Sequence, residues 1–249
     1  MMLFQKEVKK VERLQKKIAN LGYCSRRKAE ELISKGLVEV NGEVVTKLGT
    51  TVKAGDVITV EGNILDSSRS FEYYLLNKPK GVVTTTNDEK GRVAVVDLID
   101  TNTRIYPVGR LDYDTTGILI LTNDGELANL LSSPNSKVDK TYIAKVEGQV
   151  TIPNIQALRN GVVIDGIKTK KAKVKLKSVD KKKNTSIVEI TIHEGKNHQV
   201  KKMFESLGYK VIKLRREKYA NLNLKGLLPG EYRTLSIKEV KILYSLCKK

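Results

Sequence analysis

The sequence predicts an α+β chain of two domains. Its 249 residues are enough for two domains, and a composition of 40% hydrophobic and 30% charged residues is globular. Apolar residues keep helical spacing at Val11, Leu14, Ile18 and Leu21, and again at Val200, Met203, Phe204 and Leu207. Between them the period changes to two, most sharply at Lys171–Lys177, where Ala172, Val174 and Leu176 share one face and lysines fill the other.

In chain order, Gly22 is placed to stop the first helix. Ser25 is a suitable N-cap for a second, with Ala29, Leu32 and Ile33 as its buried side and Gly36 at its end. Arg26, Arg27 and Lys28 put three cations in that helix's first turn, where the helix dipole is already positive. The arrangement costs stability unless an anion such as a phosphate supplies the missing charge. Val38–Val40 and Val44-Val45 flank Asn41-Gly42, a strong hairpin signal, and Val57–Val60 adds a strand. Residues 1–62 therefore form the first domain, polar residues 63–70 a linker, and residues 71–249 the second domain.

The second domain opens with a strand at Tyr73–Leu76 leading into the turn Asn77-Lys78-Pro79-Lys80-Gly81, whose lysines are expected to face solvent or phosphate. Val82 and Val83 resume a strand, Thr84–Arg92 reads as a loop, and Val93–Ile99 fits helix or strand equally. Ile118–Leu121, between Gly117 and Asn123-Asp124-Gly125, reads as a short buried strand ending in a tight turn. Arg110, Asp112 and Asp114 thus sit on the loop entering a core strand, where a rigid scaffold can present charge; the same residues also read as a surface turn. An EF-hand reading of Asp112, Asp114, Thr116 and Gly117 fails, because the twelfth place is Asn123 and not Glu.

Glu126–Leu131 reads as a helix stopped near Pro134. Lys140–Val146 has period two, with Tyr142, Ala144 and Val146 on one face, and on pattern alone Tyr142 is a core residue. Ile152–Asn160 is a helix ended by Gly161, and Val188, Ile190 and Ile192 form the inward face of a strand returning from Lys171–Lys177. The helix over Val200–Leu207 is expected to be capped by Asn197 and ended by Gly208. Lys201 and Lys202 then stand beside unpaired backbone N–H groups in a setting that favours an anion, with His198 as an exposed first-turn residue. Strands at Val211–Lys213, Leu222–Leu224 and Glu231–Leu235 and a helix over Glu239–Lys248 close the chain.

The net charge of +18, from 46 Lys+Arg against 28 Asp+Glu, favours a polyanionic partner such as nucleic acid. Cys24 and Cys247 build neither a disulfide framework nor a zinc cluster, and His193 and His198 cannot close a metal site unaided. No apolar run approaches a membrane span, and Met1–Asn20 is too charged for a signal peptide. A cytoplasmic protein without metal or cofactor is expected.

The text of Val11–Gly62, with its Ser-Arg-Arg-Lys helix start, resembles the S4-like RNA-binding domain, an αββ-type module. NKPKG from Asn77, GRLDYDTTGILILTNDGELANLL from Gly109, KTYIAKV from Lys140 and EGKNHQVKKMF from Glu194 together resemble the RsuA/RluB class of RNA pseudouridine synthases. That resemblance implies a catalytic domain with a largely antiparallel, mixed sheet flanked by helices, and isomerisation of uridine to pseudouridine in ribosomal RNA without metal or cofactor. It implies that Asp112 is the catalytic carboxylate, that Tyr142 packs against the target base and is linked to proton removal, and that Lys201 pairs with Asp112. Arg110 belongs to the motif shaping the catalytic loop. The class often has Arg where this chain has His198 and Lys201, and a lysine loses the bidentate fork. Arg26, Arg27, Lys28, Lys78 and Lys80 would hold the surrounding RNA.

The residue types suit the reaction. Breaking the C1′–N1 bond, turning the uracil and rejoining it through C5 needs one persistent carboxylate and a held, desolvated base, which must leave its stack to reach it. The resemblance implies ribosomal RNA or a ribosomal subunit precursor as the partner, and a monomer is expected. Within the class, the Ser-Arg-Arg-Lys-Ala-Glu-Glu, NDGELANLL and Glu-Gly-Lys-Asn runs look closest to the large-subunit branch, which implies 23S RNA, while the SSPNSKVDKTY stretch and His198–Lys201 resemble the small-subunit (16S) type. A non-catalytic ribosome-assembly factor retaining the fold is the remaining alternative.

Overall fold

Residues 11–66, 70–134 and 136–247 are described by a computed structural model. Two units emerge: one ends at Phe71 and also takes Thr101–Arg104, and the other comprises Glu72–Asp100 and the chain from Ile105 onward. Residues 1–10 of the expected first domain, residues 67–69 of the expected linker and Lys248 lie outside the described residues.

In the first unit the second helix, Arg26–Ser34, forms as its sequence requires. Ser25 Oγ accepts the Lys28 amide at 3.1 Å, and Ala29, Leu32 and Ile33 are buried. The first helix is shorter than its apolar spacing suggests. It runs Leu14–Asn20, because Glu12–Arg13 pairs with Thr51–Val52 as a short strand, and Val11 is left 55% exposed. The Asn-Gly hairpin joins Val38–Val40 to Glu43–Val44, and Ile58–Val60 extends the sheet. Asn63–Ile64, at the head of the expected linker, pairs with Ile58–Val60 and adds a fourth strand. Leu14, Ile18, Ala29, Ile33, Val38 and Ile58 form the core of this unit.

The second unit is built on a mixed, largely antiparallel sheet. Its main path runs Lys173–Asp180, Thr185–Ile192, Lys140–Glu147, Val211–Tyr219, Thr116–Thr122, Tyr73–Lys78 and Tyr232–Thr234. The pairing of Val211–Tyr219 with Thr116–Thr122 is parallel and confined to Arg215–Thr116 and Arg216–Gly117, whereas the other pairs on the path are antiparallel. The continuous apolar run predicts burial on both faces, and Ile118, Leu119, Ile120 and Leu121 are fully buried. Leu119 and Leu121 pack with Met203, Phe204, Ile155 and Leu158 on one side; Ile118 and Ile120 pack with Leu127, Leu131 and Leu243 on the other.

Other elements depart from the sequence reading in ways with a local cause. Val93–Ile99 resolves as a single 3-10 turn, Val95–Leu98, in which Asp97 accepts the Ala94 amide at 2.8 Å. Val82 and Val83 make only one bridge, Val83 to Ala94, rather than a strand. Asn123-Asp124-Gly125 is a helix start more than a turn: Asp124 accepts the Glu126 and Leu127 amides at 3.0 Å and caps Gly125–Ser132. The strand expected to end at Lys213 continues to Tyr219. Among the described residues, no helix is long and apolar enough to cross a membrane.

Candidate active site

The loop from Gly109 to Thr115 hangs on backbone anchors supplied by the Asn77–Gly81 turn and the segment after it. Thr84 Oγ1 donates to the Leu111 carbonyl at 2.6 Å, and the Gly81 amide donates to the Tyr113 carbonyl at 2.9 Å. Lys78 Nζ donates to the carbonyls of Pro79, Asp112 and Thr115, each at 3.1 Å. This corrects the expectation that Lys78 belongs to an RNA-facing surface: it is fully buried and its ammonium is spent inside the protein. Burial pulls its pKa down to about 8, against the opposing pull of Asp112 and Asp114. Lys80 of the same turn is exposed, as expected.

Replacing Lys78 removes the ammonium shared by three carbonyls, of which only that of Asp112 keeps another donor among the described residues, the Thr115 amide, so Lys78→Met is expected to cost about 3 kcal/mol of stability in urea unfolding. Lys80→Met is expected to stay within about 0.5 kcal/mol of wild type. Equal losses from the two variants would contradict the anchoring role.

Side chains then converge on Asp112, which is partly exposed. Lys201 Nζ stands 3.0 Å from Asp112 Oδ2 and 2.7 Å from Asp114 Oδ1, and His198 Nε2 lies 3.3 Å from Asp112 Oδ1. Burial alone would lower the Lys201 pKa, but its hydrogen bonds to Asp114 and Asp112 outweigh that and raise it. The same hydrogen bond from Lys201 holds the Asp114 carboxyl below its usual range. The expected Lys201–Asp112 pair is therefore present, and it is shared with Asp114. Lys202 pairs with Asp165 at 2.5 Å, so neither lysine waits for an anion at the helix start, a correction to the sequence reading.

The helix cap also differs. Gln199–Glu205 begins after His198, which takes a left-handed conformation at φ 52°, ψ 28°, and Asn197 is not the cap. Gln199, 4% exposed, ties this segment together: its Oε1 accepts the Lys196 amide at 2.9 Å and its Nε2 donates to Glu194 Oε1 at 2.5 Å. Glu194 Oε1 in turn accepts the Lys170 amide at 2.9 Å. These bonds hold the imidazole of His198 beside Asp112.

A cavity of about 780 Å³ opens here, with Asp112, Arg110, Tyr142, Lys140, Leu214 and Arg216 among its lining. Arg110 is exposed, and Tyr142 is 8% exposed with its ring in the wall. Tyr142 is thus a buried residue of its strand that also bounds the cavity. Asp112, Tyr142 and Arg110 all meet the cavity, and Lys201 reaches it through Asp112. Arg26, Arg27 and Lys28 belong to the other unit, where they are exposed; Lys28 pairs with Glu31 at 3.1 Å.

Arg216 is the residue the sequence reading missed. It is 2% exposed, its Nε donates to the Ile118 carbonyl at 2.7 Å, and its Nη1 lies 3.4 Å from the Tyr142 hydroxyl. A signal existed: carrying the alternation past Leu214 places Arg216 on the buried side of its strand, where an arginine is costly without a purpose.

Known proteins are similar to this chain over nearly its whole length. Residues 72–206 match the family described as RNA pseudouridylate synthase, and residues 12–58 match the S4 domain. The chain is 53% identical to the ribosomal large subunit pseudouridine synthase B of Bacillus subtilis (strain 168), over 95% of this chain and 97% of that one. It is 38% identical to the dual-specificity RNA pseudouridine synthase RluF of Escherichia coli (strain K12), over 94% of this chain and 79% of the relative. A crystal structure of a pseudouridylate synthase superposes with a TM-score of 0.66 at 33% identity, covering 93% of this chain and 99% of the other.

Proposed function

Because the chain belongs to the RNA pseudouridylate synthase family and carries an S4 domain ahead of the synthase domain, we propose that it isomerises a uridine of large-subunit (23S) ribosomal RNA to pseudouridine, with Asp112 as the reacting carboxylate. The observation that carries the choice of RNA is the 53% identity, over nearly the full length of both chains, to a synthase named for the large ribosomal subunit. The role of Asp112 is supported by its place at the cavity, partly exposed and held between Lys201 and His198.

In this reading residues 1–62 and the exposed Arg26, Arg27 and Lys28 grip RNA by its phosphates, with Lys80 adding a contact beside the cavity loop. The target uridine leaves its stack and enters the cavity, where the Tyr142 ring supports the base. Lys201, 3.0 Å from Asp112 Oδ2, orients the carboxylate through a charge-assisted contact. Asp112 serves the cleavage of C1′–N1; the uracil turns and rejoins through C5, which gives up its proton as N1 gains one. The Lys78 anchors fix the loop, so that the carboxylate does not drift as the base moves. The setting is the cytoplasm, where ribosomal RNA is met by a single copy of the chain.

The experiment is pseudouridine mapping of both ribosomal RNAs from a strain lacking this protein, before and after incubation with the purified chain. One new pseudouridine in 23S RNA is the expected result. A new site confined to 16S RNA would move the assignment to the small subunit, and binding without any new site would favour an assembly factor.

A further inference from the structure

Arg216 and Lys140 are two cations in the cavity wall with no carboxylate in salt-bridge range among the described residues. Arg216 is almost completely buried, and its Nη2 has no hydrogen-bond partner there, although Nε and Nη1 are used. Its guanidinium carbon stands 5.1 Å from the centroid of the Tyr219 ring, and Lys140 Nζ stands 5.7 Å from the same centroid. Lys140 makes one long hydrogen bond, to the His193 carbonyl at 3.4 Å. Burial, and then the charge of Arg216, pulls its pKa down to about 8.

A buried guanidinium with an idle donor normally finds a partner, and here the partner must enter through the cavity. The charge of Asp139 opposes the fall in the Lys140 pKa, but Asp139 is paired with Lys173 at 2.9 Å, and two neighbouring cations without an ion-paired acid select an anion over a neutral carbonyl oxygen. RNA brings one such group with each nucleotide. We propose that Arg216 and Lys140 form a subsite for the phosphate group of the nucleotide whose base enters the cavity. Holding that phosphate fixes the ribose, and therefore C1′, relative to Asp112. The inference rests on reading the cavity as the uridine pocket.

The test uses a ribosomal RNA fragment containing the mapped uridine, with the linkage on its 5′ or 3′ side either normal or a neutral methylphosphonate. With wild type, the neutral linkage on one side is expected to lower kcat/KM about ten-fold, the effect of losing a charge-assisted contact. Lys140→Met and Arg216→Lys are each expected to lower kcat/KM on the normal fragment, with little further loss when the linkage is also neutral. Lys140 is only half-buried, so Lys140→Met carries the comparison if the arginine variant fails to fold. Multiplying losses, or no penalty from a neutral linkage on either side, would overturn the subsite. Inorganic phosphate that competes with RNA in wild type but not in Lys140→Met, without a linkage penalty, would assign the cations to a free anion and also overturn it. If wild type binds the fragment yet forms no product, the functional reading fails, and the same comparison made on Kd decides the subsite by the same criterion.

Discussion

Asp112→Asn is expected to lower pseudouridine formation at least about 1000-fold while leaving the fold and RNA binding in place. The substitution preserves volume and removes only the charge and basicity. The surrounding geometry predicts that the loop survives it. Lys201 keeps its 2.7 Å pair with Asp114, and the Lys78 ammonium holds the backbone carbonyls of residues 112 and 115 rather than the Asp112 side chain. The anchors at Leu111 and Tyr113 are likewise backbone carbonyls that do not involve the substituted side chain. Product formation should be followed on 23S RNA alongside Kd and a thermal unfolding curve. Activity above about a tenth of wild type would remove Asp112 from the reaction, since loss of a reacting group costs far more.

Gly117→Ala is expected to destabilise the chain by at least about 3 kcal/mol. Gly117 has φ +108°, and a Cβ there would lie 2.2 Å from the Arg216 carbonyl oxygen and 2.8 Å from its nitrogen. Both atoms are backbone, so no side chain can swing aside. The position is also where the two halves of the sheet join in parallel, through Arg215–Thr116 and Arg216–Gly117. Gly166 separates strain from collision: its φ is +76°, but an added Cβ meets nothing within 4 Å. Gly166→Ala should therefore cost only the left-handed penalty, about 1 kcal/mol. Equal losses for the two variants in urea unfolding would show that the approach of the Arg216 backbone is not what selects glycine at 117.

Much of this architecture was legible because burial leaves a periodic mark. Ile118–Leu121 is apolar without interruption because neighbours cover both faces, and Val188, Ile190 and Ile192 alternate because one face is covered. The loop bearing Asp112 was located by that strand and by its family motif, whereas composition alone left it a surface turn. Lys78 shows the opposite case. A lysine between Asn77 and Pro79 reads as solvent-facing, and only the arrangement of three carbonyls from residues 79, 112 and 115 reveals a buried ammonium. Arg216 was hidden by its neighbours: Lys213, Arg215, Glu217 and Lys218 surround it, the charge density obscures the alternation of Leu214 and Arg216, and a register shift at Glu217 then turns Tyr219 rather than Lys218 inward. The cap at His198 was assigned one residue early because Asn197 is the better capping type; the hydrogen bonds of Gln199 to Glu194 and to the Lys196 amide accompany the later start. Contacts between residues far apart in sequence decided each of these, and a single sequence does not display them.

The central claim is that the carboxylate at 112 remakes a uridine through C5, and tritium release measures that step directly. Ribosomal RNA from a strain lacking this protein, labelled with tritium at uridine C5, is incubated with wild type and with Asp112→Asn. The account predicts release of one equivalent of tritium per 23S RNA by wild type and none by the variant, with both proteins bound. Wild type that binds this RNA, free or in ribosomal particles, and releases no tritium would contradict it.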